Sequence, residues 1–133
     1  MAKDITFNTD HNVLCFKAIG EQNSKTRVEF AEKLLNIAKE FNCWKVLCDY
    51  TQSRVTAGTL EIYRIPSQLE QIGIPRYFKI AVIYSSDKES YIFWETRARN
   101  ADFTTRVFTD KDEALKWLNS FSKNQPQLTL CDV

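Results

Sequence analysis

Three groups of side chains in this chain are of types that could do chemistry: one histidine, a pair of carboxylates and four cysteines. Any nucleophile–base pair would have to use His11, the sole imidazole. It lies in Thr9-Asp10-His11-Asn12, a run of turn formers, so a solvated turn histidine is the simpler reading. Asp49 closes an apolar run, and Glu61 follows in the next helical stretch. Two carboxylates brought together can move a proton or hold a cation. With no second catalytic residue type beside it, Asp49 reads better as an acceptor for the N–H groups of the segment after it. Cys15, Cys43, Cys48 and Cys131 form no C-x-x-C pair. The apolar neighbours of Cys15 and Cys48 mark them as small buried hydrophobes. No G-x-S-x-G elbow, phosphate-binding Gly/Lys loop or G-x-G-x-x-G is present, and only three glycines occur. The expectation is therefore no catalytic residue, no metal and no cofactor.

Binding residues are more legible. Arg97, Arg99 and Arg106, with Arg76 and Lys79, could meet an anionic group. Glu95, Asp102 and Asp110 are interspersed, so a paired, solvated surface is favoured. Aromatic residues make up 13% of the chain, and Tyr91, Ile92, Phe93 and Trp94 are consecutive. Four such residues in a helix span its circumference, so one or two must leave the core. With Tyr63, the residues Tyr91, Phe93 and Trp94 form the candidate apolar interface or pocket.

The elements that must position these residues read as β-β-α-β-α-β-α-β-α. Strands are expected at residues 5–7 and 13–19, joined as a hairpin. On the second, Val13, Cys15 and Lys17 share one face and Leu14, Phe16 and Ala18 the other. Ser24 is the expected cap of a helix running to Phe41, whose stripe is Val28, Ala31, Leu34, Leu35, Ala38 and Phe41. Lys45–Tyr50 reads as a central strand covered on both faces, and Thr51–Gly58 as a polar loop. A helix over Thr59–Ile72 is interrupted by Pro66 and stopped by Gly73-Ile74-Pro75. A strand at Phe78–Tyr84, a helix at Lys88–Ala101 and a short strand at Thr104–Phe108 follow. Thr109 is the expected cap of a last helix packing through Ala114, Leu115, Trp117, Leu118 and Phe121. Alternating strands and helices imply an α/β fold with a mixed, mostly parallel sheet and an antiparallel edge hairpin, with helices packed on it. Residues 1–122 make one domain, and 123–133 a tail.

The composition sets the remaining bounds. Eighteen basic and seventeen acidic residues leave a formal charge of +1, which offers no general case for binding nucleic acid. No apolar run approaches the roughly 18 residues of a membrane span. Met1-Ala2-Lys3-Asp4 leads straight into a strand-like run without the apolar core of a secretory signal, so a cytoplasmic protein is expected.

Three segments carry a resemblance: Val46-Leu47-Cys48-Asp49-Tyr50-Thr51, Phe78-Lys79-Ile80-Ala81-Val82-Ile83, and Arg106–Leu118 with its Asp110-Lys111-Asp112-Glu113-Ala114-Leu115-Lys116-Trp117-Leu118. Together with the element order over residues 4–121, they resemble the STAS domain and its SpoIIAA-like relatives, which include bacterial anti-sigma-factor antagonists and the cytoplasmic domains of sulfate transporters. In the antagonists a serine in an Asp-Ser-Ser-Gly-like stretch is phosphorylated by a partner kinase. The corresponding stretch here is Arg54-Val55-Thr56-Ala57-Gly58-Thr59, and it has no serine. The resemblance thus implies a partner-docking loop whose hydroxyls are Thr51, Ser53, Thr56 and Thr59, beside Asp49. The expected function is a non-catalytic protein-interaction module binding a protein partner or a second copy of itself. The alternative is a carrier of a small apolar ligand or lipid, with a closed cavity between the sheet and the second and third helices.

Overall fold

In a computed structural model, residues 3–8, 11–22, 24–56 and 58–120 are described. They form a five-stranded sheet in the order β1-β2-β3-β4-β5. The strands are β1 (Lys3–Asn8), β2 (Val13–Gln22), β3 (Lys45–Val55), β4 (Lys79–Ile83) and β5 (Thr105–Phe108). The helices are α1 (Ser24–Phe41), α2 (Thr59–Tyr63), α3 (Ile65–Ile72), α4 (Lys88–Asn100) and α5 (Lys111–Leu118). β1 and β2 are antiparallel, and every other pair is parallel. This is the expected α/β architecture with its edge hairpin.

From β2 onward the strand order advances in one direction. Successive right-handed crossovers then drop their helices on the same face. Accordingly α1, α3 and α4 bury Leu34, Leu69 and Tyr91 against Leu14, Phe16, Val46, Cys48, Ile80 and Val82. The last helix, α5, has no further strand to reach and folds onto the opposite face. There Ala114 and Leu118 close over Val13, Leu47, Ala81 and Ile83. The two clusters divide β2 as its alternation requires, with Leu14, Phe16 and Ala18 on one side and Val13 and Cys15 on the other.

Three features differ from the sequence reading, each for a physical reason. The expected loop after Tyr50 is strand as far as Val55, because β2 also runs on to Gln22 and pairs with it. The pairing slips one residue between Lys17 and Ile19, and Gly20 then adopts φ 93°. The expected long second helix is two helices, since Pro66 stands in the first turn of α3 and the chain breaks at Arg64. Gly73, at φ 98°, ends α3 as expected, its N–H donating to Leu69 O at 3.1 Å. At α5 the cap is Asp110 rather than Thr109: its carboxylate accepts from Asp112 N–H at 3.1 Å. Replacing it, Asp110→Ala, is expected to cost about 1 kcal/mol, read by chemical denaturation, with amide exchange in α5 accelerating first. Ser24 is the first residue of α1, and its side chain lies outside the described part, as do Phe121 and the expected tail.

Candidate docking surface

The carboxyl ends of β3 and β4 and the helices that follow them build the candidate site. β4 stops at Ile83, so the outer half of β3 has no strand neighbour on that side. Side chains of the β4–α4 connection take its place. Ser85 Oγ donates to Thr51 O at 2.8 Å, and Asp87 Oδ2 accepts from Val55 N–H at 3.0 Å. Asp87 reaches this point with a left-handed backbone, φ 62°.

The structure separates the five residues of the expected docking loop. Asp49 Oδ1 accepts from both the N–H of Thr51, at 2.9 Å, and its hydroxyl, at 2.6 Å. Ser53 is buried and donates its hydroxyl to Ala18 O at 2.7 Å, holding β3 to β2 beyond the register slip. Two of the four hydroxyls are therefore engaged, Thr51 within β3 and Ser53 between β3 and β2. Thr56 and Thr59 lie beyond them, both exposed, on either side of Gly58, the residue that caps α2. Ala57, between them, lies outside the described residues. The carboxylate pair does not form: Asp49 shares the α5 face of the sheet with Leu47, while Glu61 belongs to α2 on the other side. Alternation along β3 turns Asp49 away from that helix.

The aromatic run on α4 divides as its helical spacing demands. Tyr91 is buried, Phe93 and Trp94 are half-buried, and Ile92 is 40% exposed. On α2, Leu60 and Tyr63 are 60% and 52% exposed. The Arg97 guanidinium lies over the Tyr63 ring at 3.8 Å and donates to Tyr63 O. Three of the other cations meet the protein's own groups. Arg76 stacks on Phe103 and bonds Ala101 O and Glu70; Arg106 lies over Phe108. Lys79 is buried at the end of α5.

Beneath this surface, Tyr84, Tyr91 and Tyr50 stack in sequence, and Phe16 meets the edge of Tyr50 and packs on Phe30. Burial raises the pKa of Tyr50 above the ordinary phenol range, with the nearby Cys48 adding to it. Burial also raises Tyr91, and the carboxylate of Asp87 pushes it further. Two small voids flank the stack, of about 30 and 50 Å³. They share Arg27, Tyr50, Ile65 and Trp94 in their walls. Ligand pockets for drug-sized molecules occupy roughly 300–1,000 Å³, so neither void has room for a lipid. A larger cleft of about 320 Å³ lies on the opposite face, beside Lys17, Asp49 and Lys111, and its charge does not suit an apolar guest.

Several residues of this region were not singled out by sequence. Arg27 carried a signal, since it falls on the stripe of Ala31, Leu34 and Ala38. Leu60 carried none, because a helix of one turn has no readable apolar face. His11 is exposed in the β1–β2 turn, where it was expected. Among the described residues no group of three or more His, Cys, Asp or Glu could hold a metal ion.

The mixed five-stranded sheet, with one antiparallel pair and helices packed on it, gives this chain a SpoIIAA-like fold. It aligns with an uncharacterised protein of the DUF3478 family, of SpoIIAA-like fold, from Shewanella loihica PV-4: 22% identity, TM-score 0.50, 88% of this chain and 92% of that one. It aligns with the anti-sigma factor antagonist SpoIIAA in its unphosphorylated form at 10% identity and TM-score 0.51, covering 90% of this chain and 100% of that one. The phosphorylated Bacillus cell fate determinant SpoIIAA aligns at 12% identity with a TM-score of 0.49, over 89% of this chain. No protein-family model matches the sequence, and no curated protein sequence matches it. No helix among the described residues is long and apolar enough to cross a membrane.

Proposed function

We propose that this protein is a non-catalytic, cytoplasmic regulatory module that docks a protein partner through Thr56–Tyr63 and the adjoining surface of α4. The observation that carries this reading is the exposure of Leu60 and Tyr63 beside the Arg97 guanidinium. Tyr and Arg side chains are enriched at interface hot spots, and an exposed apolar neighbour such as Leu60 adds area to bury. Stacking on Tyr63 and the bonds to its carbonyl hold Arg97 in place before any partner arrives, which lowers the ordering cost of binding. The fold adds support, since one protein that shares it is an anti-sigma factor antagonist. Thr56 and Thr59 stand at the edge of the patch, where an added phosphate would change its charge. The partner is a different protein or a second copy of this chain. The carrier reading is weaker, because the voids that line Trp94 hold about 30 and 50 Å³.

A photo-crosslinking residue at position 60 or 63, in cells, tests the proposal. Specific adducts are expected there and not at Lys39, on the solvent side of α1. Leu60→Asp with Tyr63→Ala should weaken capture of that partner at least tenfold, about 1.4 kcal/mol or more, while leaving Tm within a few degrees. Sedimentation over a wide concentration range distinguishes self-association from a foreign partner. A strict monomer that gives the same adducts at all three positions would sink the reading.

A further inference from the structure

The smaller void has an unusual wall. Three of its lining residues hold a buried polar atom with no hydrogen-bond partner among the described residues: Arg27 Nη1, Tyr91 Oη and Trp94 Nε1. Tyr91 is 5% exposed. The described ion pair, Arg76–Glu70, does not involve Arg27. The acid that influences Tyr91 is Asp87, and its Oδ2 already accepts from Val55 N–H. A buried polar group left unpaired destabilises the fold, so three in one wall call for a guest.

The wall specifies the guest. Guanidinium and indole N–H groups only donate, and a phenol can donate as well. A guest must therefore accept, and one negative charge would answer the unpaired guanidinium. A water molecule could give a hydrogen to a hydroxyl of the wall, such as Tyr91 Oη, but neither Arg27 nor Trp94 can accept one, and water brings no charge to answer the guanidinium. The void, at about 30 Å³, exceeds the roughly 10–15 Å³ that one water needs and falls far short of an organic ligand. We propose that the void walled by Arg27, Tyr91 and Trp94 is a binding site for one small monovalent anion of halide size. Such an ion would tie α1, through Arg27, to α4, through Tyr91 and Trp94, beneath the docking surface. The site does not depend on that surface having a partner.

Thermal unfolding of the full chain in chloride, at constant ionic strength balanced with gluconate, reads the site directly. Gluconate is too large for the void. A saturable rise in Tm is expected, about 4 °C at tenfold the dissociation constant. Arg27→Gln should abolish the rise, and Tyr91→Phe should weaken the apparent affinity about tenfold. If Arg27→Gln does not fold, Tyr91→Phe and Trp94→Phe carry the comparison. Crystals grown in bromide should show an anomalous peak between the three side chains. Superimposable chloride and gluconate curves, or an ordered water and no bromide peak at that position, would overturn the proposal whatever the partner experiments show.

Discussion

Raising the pH above about 10 is expected to unfold this protein steeply. Burial raises the pKa of Cys48, Tyr50 and Tyr91 in the folded state. In the unfolded chain a thiol titrates near 8.5 and a phenol near 10. Above those values the unfolded state has released protons that the native state still holds. Stability therefore falls with pH, being fully present below the unfolded pKa values and lost as pH rises toward the folded ones. Each group contributes a slope of about 1.4 kcal/mol per pH unit once its unfolded pKa is passed, so the three together approach about 4. That is a large fraction of the stability of an ordinary domain, about 5–15 kcal/mol. Denaturant titrations at successive pH values should show a flat region to about pH 8 and then a steepening decline. Tyr91→Phe should lower the limiting slope by about 1.4 kcal/mol per pH unit. Titration of Tyr50 and Tyr91 as phenolates before any loss of far-UV circular dichroism would contradict this account.

Replacing Lys79 by Met is expected to destabilise the protein by about 3 kcal/mol and to loosen α5 before any other element. Lys79 is 1% exposed. Its ammonium donates to Trp117 O at 2.6 Å, Ser120 O at 2.7 Å and Ser120 Oγ at 3.2 Å, and it lies 4.9 Å from the centre of the Trp117 ring. These acceptors lie at the C-terminal end of α5, where the dipole is negative. Lys45, paired with Lys79 across β3 and β4, donates to Asn119 Oδ1 at 3.3 Å and adds a second cation there. Methionine keeps much of the stem's volume and removes the charge. It removes the ammonium's bonds to Trp117 O and Ser120, and each charge-assisted bond of this kind is worth about 1.5–3 kcal/mol. α5 packs on the sheet face opposite α1, α3 and α4, so its release uncovers Val13, Leu47 and Ala81. Chemical denaturation with amide exchange measures both effects. Equal exchange rates in α5 of the two proteins would show that the lysine is not its clamp.

The elements were legible because their signals are local. Leu14, Phe16 and Ala18 alternate against Val13 and Cys15, and only a strand gives that alternation a use. Ala31, Leu34 and Ala38 repeat at helical spacing, and Gly73 stops α3 through a backbone angle that other residues resist. Order and type of element, and from them the α/β class, follow from such short-range rules. So does the exposure of part of the Tyr91–Trp94 run, since a helix cannot aim four successive side chains at one core.

What lay outside the sequence's reach was set by neighbours distant along the chain. Thr51–Val55 reads as a polar loop until β2 is seen to continue beside it, after which Ser53 has Ala18 O to bond and the segment is strand. Lys79 reads as a surface cation until the end of α5 arrives over it from some forty residues away. Asp49 reads as an acceptor for the N–H groups after it, and does accept from Thr51, but that the sheet separates it from Glu61 is seen only once β3 and α2 are placed. Arg27, Tyr91 and Trp94 come from two helices, and the void they share exists only where both helices meet the sheet. Periodicity records which way a side chain leaves its own element. Which partner it meets there depends on packing between elements, and no short stretch of sequence encodes that.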